Sequence, residues 1–90
     1  MTAMILRLAS DVSFADADGG GGVLLDRAAG TYWELNGPAC DVVRSIASTQ
    51  DLGAAVTLLT ERYDVDAETA ARDVRALADE LLQAGLVVAP

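Results

Sequence analysis

The sequence predicts an α+β fold in which strands come first and three helices follow. Three observations carry this expectation. Two β-favouring runs, VLLD at 23–26 and TYWEL at 31–35, flank a short loop that ends in a glycine. From Asn36 onward the apolar spacing changes from alternation to i, i+3, i+4, i+7. Asn36, Asp51 and Asp66, all residue types that cap helices, each stand at the head of a stretch with that helical spacing.

Taken in order, the apolar run MILRLA reads as a lead-in within residues 1–10. VSFAD at 12–16 alternates weakly and predicts a first strand. DADGGGG at 16–22 predicts a flexible connection, because glycine accepts any backbone angle and holds none. The runs at 23–26 and 31–35 then form a hairpin around Arg27, Ala28, Ala29 and Gly30, with Gly30 in the left-handed position. A first helix starts at the Asn36 cap with Pro38 in its first turn, where a missing N–H is harmless. Ala39, Val42, Val43 and Ile46 make its apolar stripe, and it ends near 48–50. Asp51 caps a second helix whose face is Leu52, Ala55, Val56, Leu59 and Tyr63. Asp66 caps a third, with Glu68 placed to suit the helix dipole and Ala70, Val74, Leu77, Ala78 and Leu81 as its stripe. Gly85 ends that helix, and residues 86–88 return as a short strand or a packed tail. The lengths and short links of the helices are those of a helix-turn-helix core.

The 90 residues make a single domain over 1–90, with its core at about 12–88. The chain carries a formal charge of −8, from 14 acidic and 6 basic residues, and all six bases are arginine. Phosphate-rich partners are attracted by Lys and Arg displacing counterions, so nucleic acid and anionic membrane are expected to be poor partners. One cysteine, Cys40, allows no internal disulfide, and the N-terminal apolar run is too short for a signal-peptide core. With no stretch approaching the roughly 20 apolar residues of a membrane span, a cytoplasmic protein is expected.

The absence of histidine removes Ser-His-Asp and Cys-His nucleophiles and the common zinc sets. Cys40 is expected as a small buried apolar residue. The glycine run leads into a strand rather than a helix, lacks GK[ST] and is flanked by aspartates, so it is not a phosphate cradle. The carboxylates mostly sit at caps or on polar faces. The chain is therefore expected to be no enzyme and to need no cofactor or metal. What remains is the aromatic pair Tyr32 and Trp33, on a chain with only one other Tyr and one Phe. Strand alternation places Thr31, Trp33 and Leu35 on one face and Tyr32 and Glu34 on the other. The plain expectation puts one aromatic in the core and the other over the sheet. The sharper one makes this strand a receiver of a partner peptide.

The stretches VLLD (23–26), YWELN (32–36), YDVD (63–66) and DVRALADEL (73–81) before GLV, in that order across about 12–88, resemble the PqqD-like family. These are the RiPP recognition elements, which bind leader peptides of ribosomally made natural products. The form of the motif is most similar to stand-alone leader-binding proteins of lasso-peptide pathways, whose transglutaminase-like leader protease is a separate chain. The four-glycine connection and the absence of lysine have no counterpart in that pattern. The resemblance implies a winged-helix-like fold, with a three-stranded antiparallel sheet packed on three helices. It also implies that a leader, often with a Tyr-x-x-Pro motif, adds as a fourth strand beside the third strand and lies against the third helix.

An edge strand offers free N–H and C=O groups, and strand addition is a known route to peptide binding. About four new backbone hydrogen bonds give roughly 2–6 kcal/mol, whereas micromolar affinity needs about 8.2 kcal/mol. Side chains must supply the rest. On a helical wheel centred on Val74, Ala70, Asp73, Leu77 and Glu80 share one flank, and Arg72, Arg75 and Asp79 the other. The first flank joins apolar contact to a hydrogen-bond acceptor, Asp73. The expected peptide-binding residues are therefore Val23, Leu25, Thr31, Tyr32, Trp33, Glu34 and Leu35 on the strands and Ala70, Asp73, Leu77 and Glu80 on the helix. The alternatives are a PqqD-like peptide chaperone for another modifying enzyme, such as a radical-SAM protein, and, more distantly, a winged-helix DNA-binding regulator.

Overall fold

The computed structural model describes residues 5–16 and 20–89. Five strands and three helices follow one another as β1 (Arg7–Leu8), β2 (Val12–Asp16), β3 (Gly22–Asp26), β4 (Thr31–Leu35), α1 (Gly37–Ser48), α2 (Leu52–Arg62), α3 (Ala67–Gln83) and β5 (Val87–Val88). β2, β3 and β4 form an antiparallel sheet in that order, and β1 pairs with β5 in a second, two-stranded one. The architecture is the expected α+β arrangement of a three-stranded sheet packed on three helices.

The hairpin of β3 and β4 closes in the register Asp26↔Thr31 and Leu24↔Trp33. Its loop is made by Asp26, whose side chain accepts from the N–H groups of Ala28 and Ala29 at 3.1 and 3.2 Å. Gly30 closes it in the left-handed region at φ 71°, donating its N–H to the Asp26 carbonyl. Arg27 ties the loop back to the chain ahead of β2 through the carbonyls of Ser10 and Asp11.

All three caps act as the residue types require. Asn36 accepts from Ala39 N–H at 2.9 Å, Asp51 from Gly53 N–H at 2.9 Å and Asp66 from Thr69 N–H at 2.7 Å. The bond from Thr69 holds the Asp66 carboxyl below its ordinary value of 3.8. At the other end of α3, Gly85 turns left-handed at φ 75° and Leu86 N–H returns to the Leu81 carbonyl. That turn drops Leu86 and Val87 into the core.

The core is built from Leu24, Leu35 and Val12 of the sheet, the α1 stripe of Val42, Val43 and Ile46 with Cys40 beside it, and Leu52, Ala55 and Leu59 of α2. Ala70, Val74, Ala78 and Leu81 of α3 complete it, together with Leu6, Leu86 and Val87 from the two ends of the chain. Alanines at the helix contacts let backbones approach closely, so a chain rich in alanine still packs.

Three features differ from the sequence reading. Part of the supposed lead-in is a structural element, because residues 86–88 need a backbone partner and find it there, in the register Arg7↔Val88 and Leu8↔Val87. Leu6, at 1% exposure, anchors that segment in the core. Secondly, neither aromatic of β4 is buried: Tyr32 is 64% and Trp33 36% exposed, and Phe14 packs against the core instead. Thirdly, the connection at 16–22, of which 17–19 lie outside the described residues, is paired at both borders, Asp16 opposite Gly22. A Cβ on Gly22 would stand 2.9 Å from the Cys40 sulfur and 3.0 Å from both the Ala15 carbonyl oxygen and the Phe14 ring. One on Gly21 would stand 2.8 Å from the Leu35 carbonyl oxygen. These two glycines are where the sheet closes down on α1, not merely slack. Among the described residues no helix is long and apolar enough to cross a membrane.

Two measurements check this account. Gly22→Ala destabilises the domain by roughly 1–3 kcal/mol, read as a lower urea midpoint with unchanged m-value, because backbone as well as side-chain atoms must move. Asp66→Ala lowers the melting temperature at neutral pH. The carboxyl is depressed in the folded state, so its contribution is fully present above the unfolded-state value of 3.8 and is lost as pH falls through the lower folded-state value. The difference between variant and wild type therefore shrinks in acid, as melting curves across that range would record.

Candidate functional site

β4 is the border of the three-stranded sheet: its inner side pairs with β3, and among the described residues no strand pairs with its outer side. Residues 87–88 of the chain's tail are engaged with β1. Strand pairing places Trp33 on the same face as buried Leu24, and Tyr32 beside Leu25 on the opposite face. The helix-packed face thus carries Thr31, Trp33 and Leu35, while Val23, Leu25, Tyr32 and Glu34 lie on the outer one.

β4 runs directly into the Asn36 cap of α1, and an apolar trough begins there. Its first part, about 220 Å³, is lined by Asn36, Pro38, Ala39, Val42, Val74 and Leu77, and shares Leu59 and Asp73 with the second. The second part, about 150 Å³, adds Tyr63, Val65 and Ala70, with Pro38 again on its wall. Pro38, Leu59 and Asp73 border both, so the trough is continuous between the start of α1 and the first half of α3, with α2 beneath. Among the described residues, Asp73 is the one charged side chain on its walls. An extended segment lying here meets a hydrocarbon surface with a single carboxylate acceptor.

Behind the trough lies a polar hub. Asp41 is 4% exposed and sits within the α1 stripe. Its Oδ1 accepts from Arg44 at 2.9 Å and from Arg62 at 3.1 Å, and its Oδ2 from the Tyr63 hydroxyl at 2.7 Å. The bond to Asp41 raises the Tyr63 phenol above its ordinary range. Arg44 also pairs with Asp16 at the end of β2, which lowers the Asp16 carboxyl and raises the Arg44 guanidinium. The Cys40 thiol donates to Asp16 at 3.3 Å, and burial pushes it up. No buried side-chain polar atom among the described residues lacks a partner. The same residues hold no cluster of three or more His, Cys, Asp or Glu fit for a metal.

Of the residues expected on α3, the structure brings Ala70, Asp73 and Leu77 to the trough and leaves Glu80 exposed beyond it. On the sheet, Thr31, Tyr32, Trp33 and Glu34 stand exposed along the free border, Leu35 is buried at its end, and Val23 and Leu25 belong to the neighbouring strand β3. Sequence reasoning missed the opposite wall. Val42 and Leu59 belong to the expected apolar stripes, which do not by themselves mark a binding wall, whereas Pro38 and Val65 lie outside any stripe. The hub was missed as well; its one signal is an aspartate interrupting the apolar face of α1 three residues before Arg44.

The family model for coenzyme PQQ synthesis protein D (PqqD) matches residues 21–87. A solved structure of a lasso peptide synthetase B1 complexed with the leader peptide is 34% identical, with a TM-score of 0.82, over 92% of this chain and 96% of that one. TbiB1 in complex with the TbiA(beta) leader peptide is 25% identical, with a TM-score of 0.83, over 90% of this chain and 93% of that one. No curated protein matches significantly. A family model spanning most of the chain and a like fold over nearly all of it lead to one conclusion: the chain belongs to the PqqD family, the RiPP recognition elements.

Proposed function

We propose that this protein binds the leader segment of a ribosomally made lasso-peptide precursor and presents it to a separate transglutaminase-like leader protease. The observation that carries the reading is a vacant strand border with two uncovered aromatics, running into an apolar trough with one carboxylate. The two similar structures, both bound to leader peptides, support it. In this reading the leader adds as a strand beside β4. Its side chains alternate, one set meeting Trp33 and the trough, the other passing Tyr32 and Glu34 with Val23 and Leu25 behind them.

The trough supplies what the ladder lacks. A leader of the Tyr-x-x-Pro type seats its apolar groups against Ala70 and Leu77 and donates its tyrosine hydroxyl to Asp73. Glu80 faces the same flank one turn on. No bond is made or broken: the protein acts by holding the cleavage site at high effective concentration near the protease, with no cofactor, nucleic acid or membrane involved. Service to another RiPP enzyme, such as a radical-SAM protein, would use the same surface. A DNA-binding role fits poorly, because α3 would be the reading helix and one of its two arginines, Arg72, already faces Glu68 at 3.9 Å.

Titration of a fluorescent peptide spanning the leader of a precursor encoded beside this chain tests the reading. Saturable binding near micromolar is expected, and no binding by any such leader overturns it. Asp73→Ala weakens binding by about tenfold, the worth of one hydrogen bond to a charged group, with little change in melting temperature. Unchanged affinity would move the peptide to the other flank of α3.

A further inference from the structure

We infer that Asp41 is a positioning residue of the trough: its buried carboxylate fixes where the Tyr63 ring stands, and through it the spacing between the walls on α1 and α3. The inference rests on the leader-binding reading and adds to it a residue that no ligand touches.

Burying a carboxylate costs several kcal/mol unless its partners compensate, and an apolar residue would pack the α1 face at less cost. Asp41 is nonetheless nearly sealed, so what it gains from its partners decides its use. Two of them, Arg44 and Arg62, have side chains 43% and 54% exposed and are well solvated without it. The third is different. Tyr63 ends α2, just before the connection to α3, and its ring lines the trough together with Pro38 and Ala70. Its hydroxyl makes the shortest of the three bonds to Asp41 and lies against the first turn of α1, where a Cβ on Gly37 would come within 3.3 Å of it. The glycine at 37 leaves room for that hydroxyl, and the aspartate at 41 holds it.

A ring tethered in this way can neither swing out to solvent nor collapse onto Ala70. The link joins the first half of α1, one side of the trough, to the α2–α3 connection from which α3, the other side, begins. Without it the ring keeps its apolar contacts but loses its fixed place, and the incoming peptide must order it on binding.

The test uses the full chain and the fluorescent leader peptide, at a temperature well below the melting point of every variant. There the folded fraction is complete, and a link that only stabilises the fold leaves affinity unchanged. Tyr63→Phe, which removes the hydroxyl and keeps the ring, is expected to weaken binding about three- to tenfold. Asp41→Ala, which removes the acceptor, is expected to do the same, and Tyr63→Phe combined with Asp41→Ala to be no weaker than the worse single variant, since both act through one bond. Folded variants with wild-type affinity, or losses that simply multiply, overturn the inference while leaving the leader-binding reading intact. A wild-type protein that binds no leader overturns both.

Discussion

Every buried or paired backbone group must find a partner, and the way this chain partners its own tail decides what else it can do. Residues 87–88 pair with 7–8 rather than with β4. Both short strands are held by neighbours sunk in the core, Leu6 on one side and Leu86 on the other. Two-residue strands are marginal alone; here burial of the flanking leucines supplies the stability, and the ladder only fixes the register. Had the tail added to the three-stranded sheet, its border would be filled from within.

On the proposed reading, the domain separates two tasks around that border. Backbone pairing is indifferent to side-chain identity and too weak alone for tight binding. The trough is selective but offers few polar contacts, with Asp73 its single charge. Placing the two end to end, at the junction of β4 and α1, lets one extended segment engage both. The junction holds its shape because Asn36 caps α1 at the point where the strand stops, and because Gly21 and Gly22 let the sheet lie close against α1 and the strand end.

Much of this was legible in the sequence, for identifiable reasons. The three caps and the apolar stripes are local signals, and they located the helices to within a residue or two. The hairpin was readable from Gly30 and the alternation on either side. Asp73 and Leu77 share one flank of the third helix in the sequence and line one trough in the structure, because helical geometry is regular enough to assign a flank. What escaped is non-local. Nothing near Arg7 says that Val88 will pair with it. The glycines at 21 and 22 look like slack until Cys40 and the Leu35 carbonyl are placed beside them. Composition put one of Tyr32 and Trp33 in the core, and neither is there: Leu24, beside them on the sheet, is fully buried instead. Asp41 was invisible for the same reason, since two of its three partners come from the far end of α2.

The antiparallel pairing of the two ends has a practical side. Residues 7–8 and 87–88 meet at one small ribbon, which shares no strand with the β4 border. An affinity handle, a surface tether or a fused enzyme joined at either end would therefore hang from the same corner of the domain.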